Sequence, residues 1–449
     1  MQTPRFLAAL ALGSLGTIVG VAIACAPVTS ETPSARPSAK NAPAHVPDAR
    51  REAGGVLGGH DRVAMIAIAG GLPAVPVSAT GSWELEEQGG KTPLVRGRGG
   101  EGWRVERKGG LLRISGANGD ATPWREGPFV ARASDGRAFV QYGVKRYRGE
   151  LWFTATDSGV LVVNKLPVED YLRGVVPLEL GTRAEGDRAA LEAQAVAARS
   201  YAYIRVPDAN GPTPRKGWHM LATVANQVYG GVDAESPVVN SAVDATTGLV
   251  IRYGGLLVDA PYFSSCGGHT ASPKEVWRSA QEEPYLPGVD DTDPATGKPY
   301  CAISPKTSWN AEFNEMALAD IVGRHLTAAG ARAATVGEIT DVRVTQRSPS
   351  GRVGVMTIST ERGDVTLNAN EIRSVFRDVR GAILSSTYFS VDRESREKGR
   401  LTGITLRGAG NGHGVGMCQW GAIGRARAGQ DFRTILRHYY PGTVVGFVD

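Results

Sequence analysis

The chain has 449 residues, of which 42% are hydrophobic and 21% charged, with 50 Lys and Arg against 45 Asp and Glu for a net charge of +5. At roughly 100–200 residues per domain this excludes a single small module, and the ordinary composition excludes a disordered or membrane-embedded body. The basic residues are scattered rather than gathered into a stripe, so no nucleic-acid partner is expected and a well-solvated mixed surface is.

The first 25 residues read as an export signal. One positive charge within Met1 to Arg5 precedes an unbroken apolar and small run, Phe6 to Ala24, that closes on Ala22-Ile23-Ala24-Cys25. Small residues before the cysteine make Cys25 the expected lipidation site. The run is also just long enough to span a bilayer, so a retained anchor is the alternative. A plain signal peptide is the remaining alternative; in every case the mature chain is expected to work outside the cytoplasm, and the lipidated form to be held to a membrane of the cell envelope. Residues 26–55, rich in Pro, Ala, Ser, Thr and charge, are expected to be a flexible tether.

Residues 56–158 alternate short apolar stretches with glycine-containing turns. Val63–Ile68, Gly102–Val105, Leu111–Ile114, Phe139–Tyr142 and Tyr147–Thr154 predict a smaller, mostly-β domain without a cluster of catalytic residue types. From residue 159 to the end the texture is α+β. Asp187 to Tyr203 predicts a helix with Leu191, Ala195, Ala198 and Ala202 on its buried face, leaving neighbouring faces to present Gln194 and Arg199. Residues 312–328 predict another helix, and Glu338 to Ile358 with Asp364 to Leu367 a hairpin. A glycine-dense loop, a helix from Gln419 and a last helix opened by Asp431 and stopped at Pro441-Gly442 close the chain.

Four constellations carry possible chemistry. In Gly174-Val175-Val176-Pro177-Leu178-Glu179-Leu180 a carboxylate sits among apolar residues, a setting that raises its pKa. Ala193-Gln194-Ala195-Val196-Ala197-Ala198-Arg199 is a closely packing helix that carries hydrogen-bond donors. Ser264-Ser265-Cys266-Gly267-Gly268-His269-Thr270 and Gly412-His413-Gly414-Val415-Gly416-Met417-Cys418-Gln419 are glycine-rich loops that let a ligand approach the backbone. No Walker-type Lys-Ser/Thr is present, which disfavours phosphate binding.

In this order and spacing, and with Leu166–Leu172, Tyr285–Val289 and Ile435–Gly442, these segments resemble stage II sporulation protein D and the related amidase-enhancer proteins over about residues 160–449. The resemblance implies a peptidoglycan lytic transglycosylase acting on glycan strands stripped of stem peptides, with Glu179 at the catalytic glutamate. Gln194, Arg199, Ser265, His413 and Gln419 then become supporting or substrate-binding candidates, and Gln194 and Arg199 equally structural ones. The partners implied are the glycan strands and, for a noncatalytic glycan-binding or activating member, an amidase. The chain departs from the family in lacking a tryptophan between Gly181 and Arg188 and in carrying Leu180 for a frequent methionine.

With Cys25 lipidated, Cys266, Cys301 and Cys418 remain, and an odd number cannot all pair. Cys266 and His269 have a spacing metals tolerate, and Cys301 and Cys418 lie in the two other family-like loops. A zinc-bearing subset of the family exists, so one reading is a structural zinc on Cys266, His269, Cys301 and Cys418. The other is a Cys266–Cys301 disulfide, favoured by an oxidising compartment. The transglycosylase route itself requires no cofactor. A zinc-dependent hydrolase finds no His-Glu-x-x-His motif to support it.

Overall fold

The computed structural model describes residues 62–207, 214–277, 279–328, 338–377, 381–397 and 400–448. The export signal, Cys25, the tether and the first residues of the β region lie outside the described residues. Among the described residues no helix is long and apolar enough to cross a membrane.

The β region is built by strict alternation. Val75, Val77 and Ala79 point inward from Ala74–Ala79, and Leu112 and Ile114 from Leu111–Gly116, because successive side chains leave a strand on opposite faces. Five strands form one sheet in the order Leu111–Gly116, Trp103–Lys108, Ala74–Ala79, Val140–Tyr142 and Lys145–Tyr147. Seven form another, running Met220–Leu221, Val63–Leu72, Gly159–Pro167, Glu150–Thr156, Phe129–Ala133, Trp83–Glu87 and Val95–Gly97. All its pairs are antiparallel except that of Val63–Leu72 with Met220–Leu221.

Gly159–Pro167 runs without a loop into helix α1, Val168–Leu180. Glu169 and Asp170 in its first turn suit the positive end of the helix dipole. Helix α2, Arg188–Arg205, departs from the expected amphipathic pattern. Gln194 and Arg199 are both 0% exposed, along with the alanines around them. The reason is packing by α1, by α3 (Pro237–Ala245) and by two helices from the end of the chain, which leaves the middle turns, Ala193 to Ser200, no face for solvent. Side chains as small as alanine allow that enclosure, and buried polar groups must then find partners inside.

A short helix α4, Pro273–Val276, closed by a capping box of Ser272 and Glu275, leads toward a separate apolar cluster. That cluster gathers Phe313, Ile321, Val342, Met356, Ile358, Leu367, Phe376 and Leu406 between helices α5 (Glu315–Ala328) and α6 (Asn370–Val375) and two three-stranded sheets. The expected helix at 312–328 begins three residues later, because Glu312 to Asn314 complete the strand Ser308–Asn314 against Arg400–Ala409. In place of the expected hairpin stands a meander of Ile339–Arg347, Val353–Thr360 and Gly363–Asn368. The other apolar cluster runs from Ala64 through the β sheets and α1 to α3 as far as Val448. Helices α7 (Gln419–Arg427) and α8 (Phe432–Tyr439) follow the glycine-dense loop, with Asp431 accepting from the Thr434 amide at 2.7 Å as N-cap. The last strand, Val444–Phe447, pairs with Leu249–Tyr253. The whole is an α+β protein with a β-rich region ahead of the helices.

Candidate functional site

Glu179 occupies the last turn of α1, two residues after Pro177, which has no N–H to give to the helix ladder. Its side chain is half-buried, and Oε1 accepts from the Val228 amide at 2.8 Å. Burial raises its pKa above the ordinary 4.5, against the opposing pull of the Val228 amide and the Gln419 side chain.

The Val228 amide reaches the carboxylate because the segment Gln227 to Gly231 lies along α1. Gly174 permits the approach: a Cβ there would stand 2.5 Å from the Tyr229 ring, and the Gly174 carbonyl accepts from the Gly230 amide at 3.1 Å. Gly231, at φ 68°, turns the chain against the Arg146 carbonyl where no side chain fits. A buried polar chain fixes the segment: Tyr171 donates to Gln227 Oε1 at 3.0 Å, and Gln227 Nε2 donates to the Tyr262 hydroxyl at 3.0 Å and to the Ala198 carbonyl at 3.2 Å. Sequence reasoning missed Gln227 and Val228. The available signal was Gln227-Val228-Tyr229-Gly230-Gly231, a polar residue and two glycines in an otherwise apolar stretch.

The structure brings Gln419 to this carboxylate, sets Gln194 behind Gln419, and engages Arg199 elsewhere. Gln419, the first residue of α7, faces Glu179 and donates from Nε2 to Gln194 Oε1 at 3.4 Å. Gln194 is sealed from solvent, and its Nε2 has no hydrogen-bond partner among the described residues. Arg199 instead forms a forked pair with Glu169, at 2.7 and 2.8 Å, and donates to the carbonyls of Leu249 and Val243 at 3.1 and 3.4 Å. All its reach is spent inside the core. Beside Gln419, the Trp420 ring lies under the Arg183 guanidinium at 4.7 Å, within the segment where the sequence lacks the frequent tryptophan.

His413 and Ser265 hydrogen-bond to the backbone around the two glycine-rich loops. His413 Nδ1 accepts from the Val415 amide at 3.1 Å, which makes Nε2 the donor to the Tyr262 carbonyl at 3.0 Å. Burial pulls its pKa down to about 4, and the ring packs between Phe263 and Trp277. Ser265 is buried and exchanges backbone hydrogen bonds with Asn411. Cys266, Cys301 and Cys418 are free and buried. His269 does not join them, since its Nδ1 lies on the Thr270 carbonyl; the carboxylate that does is Asp291, absent from the sequence reading. Asp291 lies 25 residues from Cys266 in a segment rich in aspartates, so spacing gave no signal.

The class is thus a mixed α+β protein that carries a half-buried carboxyl on a helix, bounded by a docked loop and a glycine-rich turn. A family model described as Stage II sporulation protein matches residues 156–253, and one described as a domain of unknown function matches residues 304–416. The chain is 30% identical to stage II sporulation protein D of Bacillus amyloliquefaciens over 299 residues, 64% of this chain and 76% of the relative. It is 34% identical to an uncharacterized protein of Brachyspira hyodysenteriae over 321 residues, 71% of this chain and 76% of that protein. Likeness to the amidase enhancer of Bacillus subtilis is 30% over 309 residues, 61% of this chain but only 40% of that longer protein. The chain belongs to the stage II sporulation protein D family.

Proposed function

We propose that this chain is a cell-envelope lytic transglycosylase that cleaves the bond between N-acetylmuramic acid and N-acetylglucosamine in peptidoglycan strands, with Glu179 as its general acid and base. The names of its relatives support a cell-wall role. The observation that carries the chemistry is the half-buried Glu179 carboxyl, raised in pKa by burial and held by the Val228 amide and Gln419. Burial accounts for the shift without a neighbouring carboxylate. Glycoside hydrolysis usually uses two carboxylates. A lone one suits a route in which the substrate supplies its own nucleophile.

In that route protonated Glu179 gives its proton to the glycosidic oxygen as the bond to the muramic-acid anomeric carbon breaks. The carboxylate so formed accepts the proton of the same sugar's 6-hydroxyl, whose oxygen closes on the anomeric carbon. The products are a free 4-hydroxyl on one fragment and a 1,6-anhydro end on the other, and Glu179 ends protonated as it began. General acid–base catalysis of this kind contributes about 10²–10⁴-fold. Gln419 and Gln194 orient the carboxyl; Arg199 supports α1 from within the core.

The second reading is a noncatalytic glycan-binding protein or amidase activator, favoured by the likeness to the amidase enhancer. Purified wild type and Glu179→Gln are incubated with peptide-free glycan strands, and the products are weighed by mass spectrometry. Anhydro ends from the wild type alone are the expected result. Strand binding without cleavage by either protein, together with faster turnover by an added amidase, would replace the enzyme with the activator.

A further inference from the structure

Three thiols and a carboxylate from distant parts of the chain meet at one buried point. Cys266 follows the strand Tyr262–Phe263, Asp291 and Cys301 bracket the following loop, and Cys418 caps α7. Their ligand atoms lie within 4.8 Å of one another, and all four residues are fully buried. Cys266 Sγ stands 3.5 Å from Cys301 Sγ and 3.2 Å from Asp291 Oδ2. Tetrahedral zinc, with sulfur at about 2.3 Å and oxygen at about 2.0 Å, sets edges of roughly 3.8 Å between sulfurs and roughly 3.5 Å from sulfur to oxygen. The atoms already stand near those edges. A disulfide between two of them needs about 2.0 Å and would strand the third thiol and the carboxylate in a dry interior.

The surroundings treat the sulfurs as acceptors. The Cys266 amide donates to Cys418 Sγ, the Gly268 amide to Cys266 Sγ and the Gly421 amide to Cys418 Sγ, each at 3.2 Å. Asp291 is aimed by its neighbours: Oδ1 accepts from Arg425 Nε at 3.0 Å, the Tyr439 hydroxyl lies 2.8 Å from Oδ1 and 2.9 Å from Oδ2, and Oδ2 faces the Cys266 sulfur at 3.2 Å. Arg352 donates to the Cys266 and His269 carbonyls and lies over the Tyr388 ring at 5.7 Å, while its Nε and Nη1 have no hydrogen-bond partner among the described residues. The buried guanidiniums of Arg425 and Arg352 would offset the two surplus negative charges of a divalent cation bound by three thiolates and a carboxylate.

We propose that Cys266, Cys301, Cys418 and Asp291 hold one zinc ion in a closed tetrahedral site. With all four positions taken by the protein, none is open to water or substrate, so the ion is structural. It ties together the loops of Cys266, of Asp291 with Cys301, and of Cys418, whose next residue is Gln419. The inference does not depend on the transglycosylase reading, because an activator would need the same loops held.

The test takes the full chain purified without chelator. One zinc per chain by elemental analysis is expected, with Cys266, Cys301 and Cys418 alkylated only after unfolding in chelator. Cobalt(II) in its place is expected to give the visible bands of a tetrahedral thiolate site. Tyr439→Phe releases one hold on Asp291 and is expected to weaken zinc binding by about 10–100-fold in a chelator competition, with the circular dichroism unchanged. Metal-free protein overturns the site, whether Cys266 is found linked to Cys301 or all three thiols are found free. Unchanged zinc affinity in Tyr439→Phe overturns Asp291 as the fourth ligand.

Discussion

Replacing Arg199 with leucine separates a structural guanidinium from one that handles substrate. The side chain is 0% exposed and Glu169, its partner, 17%. The substitution leaves that carboxylate with the Gly248 amide at 3.3 Å and strips the Leu249 and Val243 carbonyls of a donor. Breaking a buried pair from one side costs about 3–5 kcal/mol. In urea, where m is about 1–3 kcal/mol/M for small proteins and larger for bigger ones, this is a midpoint shift on the order of 1 M. The two apolar clusters are separate, so the shift belongs to the transition of the cluster containing α1 and α2. Circular dichroism and tryptophan fluorescence read it. The double variant Arg199→Leu with Glu169→Leu should recover a good part of the loss, since an apolar pair of similar volume often replaces a buried ion pair at little cost. A single variant within about 1 kcal/mol of wild type, yet inactive on glycan, would refute the reasoning and place the guanidinium on the substrate.

The raised pKa of Glu179 has two signed consequences. The folded state holds a proton that unfolding releases, so this group's contribution to stability falls as pH rises from the ordinary 4.5 through the raised value. Glu179→Gln should therefore match wild type at low pH and gain on it across that window in urea titrations at stepped pH. Activity that needs the protonated acid should decline as pH climbs through the same value, seen as the alkaline limb of a kcat profile. Gly174→Ala drives a methyl into the Tyr229 ring and is expected to cost about 1–3 kcal/mol and to lower glycan turnover by displacing Val228 from Glu179. Ile321→Ala hollows the other cluster at a cost of about 2–5 kcal/mol, and should move its unfolding transition while leaving glycan turnover unchanged.

Periodicity made the β region legible, because Val75, Val77, Leu112 and Ile114 obey a two-residue repeat that depends only on local geometry. It was less informative for α2. A run of alanines does not say how many neighbours will enclose it, and enclosure by four helices turned Gln194 and Arg199 inward. Asp431 and Gln419 marked the starts of their helices correctly, since capping is local. The site was legible as segments but not as contacts. Gln419 reaches Gln194 across 225 residues of sequence and Glu179 from farther still, and Val228 reaches Glu179 through an approach that only Gly174 allows. His269 was read as a ligand from its spacing to Cys266, whereas backbone turns at Gly267 and Gly268, both at positive φ, carry its ring away and leave Asp291 opposite the sulfurs.

The oxygen at the cleaved anomeric carbon decides the central claim. Peptide-free strands are digested by wild type in water enriched in oxygen-18, and the new muramic-acid ends are weighed. Intramolecular attack by the 6-hydroxyl, with Glu179 as the lone acid and base, predicts anhydro ends that contain no heavy oxygen. Reducing ends carrying one heavy oxygen would show water as the nucleophile and contradict the account.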